Sequence, residues 1–330
     1  MSNDSDARME TLALMLHERS SKKRVDKCTY YTFGYTSRGK GAILTRDIRR
    51  AANVLPSERT VKDAGVEHRL RQGWEGNVDL TVGQYNLIYN AFSFAIAAMA
   101  ATTLFLWLNR GSVAPQYRTA VTISGLVTAI AFYHYWRIFN SWGETFEVTD
   151  GVVTATGVAF NDAYRYVDWL LTVPLLLIEL ILVMRLPQGE AAKKATRLGI
   201  LAVIMVILGY PGEISDNTNT RWIFWALSMV PFLIIVWELV SGLKASIASQ
   251  PAGARSLVEK ARLLTIVAWC FYPIVFLFPM IGFSGGTATT LVQVGYTIAD
   301  LVAKAVFGLL IYGIAVRKSE AEGWGVSANA

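Results

Sequence analysis

The chain has few of the residues that build disulfide scaffolds and metal centres. Its 330 residues include only two cysteines, Cys28 and Cys270, and three histidines. Two cysteines in such different regions do not make a disulfide framework. The sequence also has no glycine-rich phosphate loop and no zinc-ligand spacing. With no nucleophile, metal or nucleotide site in the sequence, an enzyme is disfavoured.

Charged residues are also scarce, at 17%, whereas 53% of the residues are hydrophobic and occur in blocks. A membrane-spanning helix needs roughly 20 predominantly apolar residues. Seven blocks approach that length, and the fourth is the shortest: residues 86–108, 120–139, 164–184, 195–210, 222–240, 263–281 and 291–316. The sequence therefore predicts an all-α membrane protein, with a seven-transmembrane-helix bundle in residues 78–318.

The loops between these blocks alternate in charge, which predicts an orientation. Basic residues occur in alternate loops and in the C-terminal tail, residues 319–330 with Arg317 and Lys318 just before it. By the positive-inside rule the C-terminus is cytoplasmic and the N-terminus lies outside. In the outer loop between the second and third blocks, β-forming residues alternate around Asp150 and Gly151. This pattern predicts a short β-hairpin.

Residues 1–77 form an extension of a different composition. They hold 15 of the 31 basic and 10 of the 25 acidic residues and contain no apolar run long enough to span a membrane. Their acidic content disfavours a transit peptide, but a targeting segment, an outer helical appendage and disorder all remain open. Because this segment accounts for most of the net charge of +6, the basic balance does not indicate nucleic-acid binding.

A lysine, Lys304, lies in the middle of the last apolar block. A charged lysine near the centre of a membrane span costs several kcal/mol, so such residues usually serve a function. Asp300 precedes it by one helical turn, and side chains four residues apart share a helix face. The pair supplies a buried cation or imine with a counter-charge. The alternative is a purely structural ion pair.

The third block carries two further acids on one helix face. On an ideal helix Thr172 is rotated by about 40° and Glu179 by about 20° from Asp168, with the two acids about 16 Å apart along the axis. Acids on either side of a central lysine nitrogen can relay a proton. The acid near cationic groups such as Arg165 is expected to be ionised, and the isolated acid is expected to be protonated. Alternatively, Glu179 merely lies near the cytoplasmic interface.

Several motifs, in order along the chain, resemble the microbial rhodopsins, which bind retinal. The third block reads RYVDWLLTVP at residues 165–174, and the seventh reads DLVAK at 300–304. The set Asp168, Thr172 and Glu179 is similar to that of the proton-pumping proteorhodopsin and xanthorhodopsin branch, as are YHYWRIFNSW at 133–142 and GYPGEIS at 209–215. The resemblance covers residues from about 80 to 316 and not the extension.

The resemblance implies a role for each matching position. Lys304 would hold all-trans retinal as a Schiff base, with Asp168 as proton acceptor and main counterion. Asp300 would be the second counterion, Glu179 the proton donor on the cytoplasmic side, and Arg165 part of the outward release path. Thr172 completes the motif. The residues implied to line the retinal site are Trp169, Leu176, Trp269, Tyr272, Pro273 and Tyr296.

Three further positions carry expectations from the resemblance. His134, in the second block, corresponds to a histidine that hydrogen-bonds the acceptor carboxylate. Leu176 corresponds to a position that is leucine in green-absorbing proteorhodopsins and glutamine in blue-absorbing ones. Trp225 aligns with a glycine that leaves space for an antenna carotenoid in some xanthorhodopsin-like proteins. Because an indole fills that space, no such antenna is expected.

The predicted function is a light-driven outward proton pump. A sensory rhodopsin that signals through a partner is the alternative, but sensors usually lack a carboxylate at the position of Glu179. Chloride and sodium pumps of the same fold are disfavoured by the third-block acids. The partners expected from this resemblance are membrane lipid, protons and further copies of the chain in a trimer or pentamer, in a cell (inner or plasma) membrane.

Overall fold

The computed structural model describes residues 80–324. Within this range the chain forms seven long helices and one two-stranded hairpin. The helices are α1 (Val82–Asn109), α2 (Pro115–Thr145), α3 (Ala163–Met184), α4 (Gln188–Glu213), α5 (Thr218–Trp237), α6 (Ala252–Leu277) and α7 (Gly285–Ala321). The predicted extension, residues 1–77, lies outside the described residues.

Shorter helical pieces extend or join these seven helices. They are 3₁₀ turns at Arg110–Ser112 and Phe278–Met280, a π-helical turn at Glu238–Gly242 and a short α-helix at Lys244–Ala248. Helix α7 is itself interrupted, since α-helical Gly285–Asp300 and Phe307–Ala321 flank a π-helical turn at Leu301–Val306. Single π-turns inside α-helices frequently mark functional sites, and this one contains Lys304.

The length and composition of the helices fit a membrane protein. Six of the seven are long and apolar enough to cross a bilayer. Helix α2 has 31 residues, which is more than sufficient length, but it carries more polar side chains. Together these helices confirm the prediction of an all-α membrane bundle. Helix α4 is longer than the predicted residues 195–210, because its first turns are amphipathic rather than apolar.

Local sequence signals mark several helix ends. Thr81 and Gln84 form a reciprocal capping box at the start of α1, with bonds of 3.2 and 2.9 Å. Pro115 occupies the first turn of α2, where its missing N–H has no partner to lose. Helix α3 ends at Arg185, which adopts the left-handed conformation with φ 57°. These signals explain why the chain turns at these residues.

The predicted hairpin is confirmed between α2 and α3. Strand β1 (Phe146–Thr149) pairs antiparallel with β2 (Val152–Ala155), with Phe146 opposite Ala155. The connecting residues, Asp150 and Gly151, have φ values of 54° and 76°. A two-residue turn with both central φ values positive matches the right-handed twist of the strands. Aspartate and glycine tolerate that conformation best.

The bundle closes through α7, which contacts α1, α2, α3 and α6. Helices α1 to α5 each pack against the next helix in the sequence. Large apolar side chains such as Phe94, Leu108 and Val230 are exposed on the outside, whereas Arg165, Glu179 and Lys304 are buried inside. This inverted distribution is expected where lipid surrounds the helices. The described residues therefore fold as an integral membrane protein with a polar interior.

Candidate functional site

Lys304 lies at the centre of the polar interior. Its side chain is 1% exposed and forms ion pairs with Asp168 of α3 and Asp300 of α7. The Lys304 Nζ to Asp300 Oδ1 distance is 2.8 Å, and Lys304 Nζ also donates to Asp168 Oδ2. Buried charges are tolerated when they are paired and hydrogen-bonded. The structure thus brings together the lysine and both acids that the sequence predicted.

Asp300 is held by several hydrogen-bond donors besides Lys304. Tyr135 Oη donates to its Oδ2 at 2.8 Å, and Trp169 Nε1 and Tyr272 Oη donate to its Oδ1 at 3.1 and 2.6 Å. Arg165 Nη1 lies 3.9 Å from Oδ2. Hydrogen bonds to a carboxylate favour its charged form. Asp300 is therefore fixed as a permanent counter-charge to Lys304.

Asp168 has fewer partners than Asp300. Its Oδ2 accepts from Lys304, but its buried Oδ1 makes no hydrogen bond among the described residues. Thr172 Oγ1 donates to the main-chain oxygen of Asp168 at 2.8 Å, not to its carboxylate. A free carboxylate oxygen next to a cationic nitrogen can accept a proton. Of the two acids, Asp168 is the better placed to change its protonation state.

His134 lies beside Asp168, but the hydrogen bond implied by the resemblance is not formed. The His134 Nδ1 to Asp168 Oδ1 distance is 3.8 Å, too long for a hydrogen bond. The same nitrogen lies 2.9 Å from Ile130 O, one turn earlier on α2. Because a carbonyl can only accept, Nδ1 carries the proton in this geometry. The histidine therefore contacts the acid electrostatically and not through a hydrogen bond.

Glu179 lies on the same helix face as Asp168 but in different surroundings. Its side chain is 0% exposed, and neither carboxylate oxygen has a hydrogen-bond partner among the described residues. An isolated buried carboxyl group is far more stable when neutral than when ionised. We conclude that Glu179 carries a proton, in contrast to Asp168 beside Lys304. The alternative of an interfacial Glu179 is not supported, because the side chain is fully buried.

On the other side of Lys304, Arg165 begins a polar chain. Its Nη2 donates to Gln293 Oε1 at 2.6 Å and its Nη1 to Tyr135 Oη at 3.3 Å. Gln293 Nε2 in turn donates to Asp162 Oδ1 at 3.4 Å. Burial raises the pKa of Asp162, which lies just outside the span, while nearby Arg165 opposes that shift. The chain leads from the Lys304 site toward the end of the bundle that bears the hairpin.

A second acid lies near this chain. Glu213 Oε2 accepts from Tyr166 Oη and Tyr296 Oη, both at 3.3 Å. Sequence reasoning did not assign roles to Gln293, Asp162 or Glu213. Glu213 lies within the segment GYPGEIS that carried part of the resemblance, so that motif was the available signal. Gln293 had no comparable signal, because its partner Asp162 belongs to a different helix end.

An elongated apolar cavity ends at Lys304. It encloses about 750 Å³, within the range of roughly 300–1,000 Å³ typical of small-molecule sites. Trp225 lies in its wall, where its Nε1 donates to Pro273 O at 3.2 Å. The lining includes every residue that the sequence assigned to the retinal site: Trp169, Leu176, Trp269, Tyr272, Pro273, Tyr296 and Lys304. An apolar cavity with one amine at its end fits a long hydrophobic aldehyde.

Comparison with known proteins gives the class of this fold and site. Residues 86–317 match the family model of bacteriorhodopsin-like proteins. A green-light absorbing proteorhodopsin from a gamma-proteobacterium is 30% identical over 245 residues, which cover 74% of this chain and 92% of that protein. The bacteriorhodopsin of Halobacterium salinarum is 29% identical over 69% of this chain and 83% of its own length.

Solved structures agree with these relatives. The crystal structure of xanthorhodopsin, a light-driven ion pump with dual chromophore, is 49% identical, with a TM-score of 0.72. It covers 74% of this chain and 98% of its own. A thermophilic rhodopsin is 41% identical with a TM-score of 0.71, over 74% of this chain and 98% of its own. The chain belongs to the bacteriorhodopsin-like family of microbial rhodopsins.

Proposed function

We propose that this protein is a light-driven outward proton pump with retinal bound to Lys304. The observation that carries the proposal is the contrast between two acids on one face of α3. Asp168 contacts Lys304 and has a free oxygen, whereas Glu179 is buried without a hydrogen-bond partner among the described residues. One acid is ready to accept a proton and the other to donate one. That pair gives a transported proton a direction.

Retinal, when bound as a protonated Schiff base, supplies light absorption and a change in the position of the Lys304 nitrogen. The residues of the chain then move the proton. Asp168 accepts the proton from the Lys304 nitrogen, while Asp300, held by its donors, remains ionised. Glu179 returns a proton to that nitrogen from the opposite side. Thr172 supports this exchange indirectly, by holding the main chain at Asp168.

Arg165 would direct the released proton outward. When Asp168 becomes neutral, the net positive charge near Arg165 increases, and the guanidinium favours release of a proton from groups beyond it. Gln293 and Asp162 continue the hydrogen-bonded chain from Arg165. His134 stabilises charged Asp168 only when the imidazole is protonated. These contacts support an exit toward the hairpin end of the bundle.

The cavity supports retinal as the single chromophore. Xanthorhodopsin is a pump with dual chromophore, and here the indole of Trp225 occupies the cavity wall and is bonded to Pro273 O. We propose that this side chain excludes an antenna carotenoid from that position. Adding a keto-carotenoid should leave the action spectrum unchanged in the native chain. Carotenoid bands in that spectrum would contradict this part of the proposal.

The orientation and surroundings of the pump follow from the charge of its loops. We propose that the hairpin end faces outward and the end of α7 faces the cytoplasm of a cell, inner or plasma, membrane. In that orientation the donor Glu179 lies on the cytoplasmic side of Lys304. Assembly into a trimer or pentamer in the lipid bilayer is part of the same proposal.

One experiment separates the pump from the sensory alternative. Cells that contain the pigment are illuminated while the external pH is recorded with and without a protonophore. Sustained acidification that the protonophore abolishes supports the pump. A pigment that completes its photocycle without any pH change supports a sensor and contradicts the proposal.

A further inference from the structure

A second buried lysine, Lys318, lies near the cytoplasmic end of α7. It is 4% exposed. Its Nζ donates to Val183 O at 3.0 Å, Met184 O at 3.2 Å and Gln250 Oε1 at 2.8 Å. An ammonium group has three donors, so each finds an acceptor. Because none of these acceptors is a carboxylate, this is not an ion pair between side chains.

The carbonyl groups that Lys318 binds belong to the last turn of α3. The last four carbonyls of a helix have no partner within the helix, and a cation there also interacts favourably with the helix dipole. Gln250 adds a second bond to the same end, from its Nε2 to Met184 O at 3.1 Å. Lys318 and Gln250 therefore join the end of α3 to α7 and to the start of α6.

This cluster lies directly between Glu179 and the cytoplasmic surface. Val183 follows Glu179 by one helical turn, on the same face of α3. Glu179 has no hydrogen-bond partner in the described part of the chain, so a proton can reach it only if water enters past the end of α3. Lys318 and Gln250 occupy that end.

We infer that Lys318 and Gln250 form a closed polar plug that keeps cytoplasmic water from Glu179 until the donor has released its proton. The inference rests on the proposed function, since it assigns these residues to the uptake step of the same relay. Lys318 acts through Glu179 and is a positioning residue. Its charge and carbonyl bonds hold the helix end closed, so proton return to Glu179 requires the plug to open.

Other charged and titratable groups face the plug. Lys318 Nζ lies 5.2 Å from the centre of the Tyr117 ring on α2. Arg185, after α3, and Glu322, after α7, are the neighbouring charges. Glu322 is bonded to Tyr117. On the inner side, Ser124 of α2 faces Glu179. None of these groups donates a hydrogen bond to the carbonyls that Lys318 binds among the described residues.

The test compares Lys318→Met with Arg317→Met in the full-length pigment. Arg317 is the adjacent residue, its side chain is 59% exposed, and it pairs with Glu320 at 3.0 Å. Both variants remove one positive charge at the same end, but only Lys318→Met opens the plug. Lys318→Arg keeps a cation that can bind the carbonyls and should restore native behaviour.

The readout is reprotonation of the Lys304 nitrogen after a flash, at several pH values. In the native chain the internal donor should make this rate independent of pH. In Lys318→Met, water reaches the site, so reprotonation should speed up with falling pH, and proton uptake should accelerate by about fivefold for one lost hydrogen bond. Transfer to Asp168 should be unchanged. Arg317→Met should match the native chain.

A lowered melting temperature in Lys318→Met without any change in pH dependence or uptake would overturn the inference, because it would show only a helix cap. If Lys318→Met gives no pigment, Gln250→Leu decides in its place and should show the same acceleration. A native chain that pumps, with Gln250→Leu and Lys318→Met kinetics like Arg317→Met, would refute the plug and leave the pump intact. A native chain that does not pump would instead refute the proposed function.

Discussion

Lys304 Nζ lies 2.8 Å from Asp300 Oδ1, one turn earlier on the same helix, across a π-helical turn. The acid and the base are thus part of one rigid element, and three side-chain donors fix the acid. The second acid, Asp168, comes from a different helix. Motion at Lys304 can therefore change its contact with Asp168 while its counter-charge from Asp300 is retained.

Lys304→Ala should abolish covalent retinal binding. The lysine is the amine at the end of the cavity, and only an amine can condense with the aldehyde. The purified variant with added retinal should show no visible band that survives extraction. As a control, Lys260→Ala removes an exposed lysine and should leave the pigment intact. A retained, extraction-resistant pigment in Lys304→Ala would refute the attachment site.

Asp168→Asn should stop pumping and shift absorption to longer wavelength. Loss of the carboxylate removes the acceptor, and it also removes a counter-charge that stabilises the cation more in the ground state than in the excited state. The absorption spectrum and light-induced pH change of the variant measure both effects. Asp216→Asn, an exposed change, should alter neither. Pumping at the native rate in Asp168→Asn would exclude it as the acceptor.

Glu179→Gln should leave the colour nearly unchanged but slow reprotonation of the Lys304 nitrogen. Loss of a positioned proton donor typically slows a transfer by about 100-fold. Flash photolysis measures the decay of the deprotonated form, and added azide, a small weak acid, should partly restore the rate. Glu190→Gln, an exposed glutamate, should decay like the native chain. Equal decay in Glu179→Gln and the native chain would exclude the donor role.

The sequence predicted the bundle well because its signals are strong and local. Long apolar blocks indicated the spans, and an Asp-Gly pair between β-forming residues indicated the hairpin. The start of α4 was not predicted, because its first turns, from Gln188, are amphipathic. The π-helical turn around Lys304 was also missed, since it arises from packing of α7 against its neighbours and not from residue preference.

Leu176→Gln should shift the absorption maximum to shorter wavelength. Leu176 is 3% exposed and lines the cavity. A polar amide there should stabilise the ground-state charge distribution near Lys304 and widen the excitation gap, which leucine does not. The native pigment should therefore absorb green light. A volume-matched control, Leu176→Met, should produce a much smaller shift. A blue-absorbing native pigment at neutral pH would contradict the role of Leu176.

The site was predicted residue by residue where one motif held both partners. Asp168, Thr172 and Glu179 share a helix face, so spacing alone grouped them. Contacts across helices were harder to predict. The bond from Gln293 to Asp162 and the grip of Lys318 on the end of α3 depend on how distant segments pack. The choice of Ile130 O over Asp168 by His134 depends on the orientation of its ring, which spacing does not specify.

The most direct test of the account is the light-induced change in external pH of cells that contain the native pigment or Asp168→Asn at equal pigment content. The account predicts acidification during illumination with the native chain, its abolition by a protonophore, and no signal from Asp168→Asn. An alkalinisation that the protonophore enhances would show that another ion moves and that protons follow passively. That result, or an equal acidification by Asp168→Asn, would contradict the proposed relay from Lys304 to Asp168.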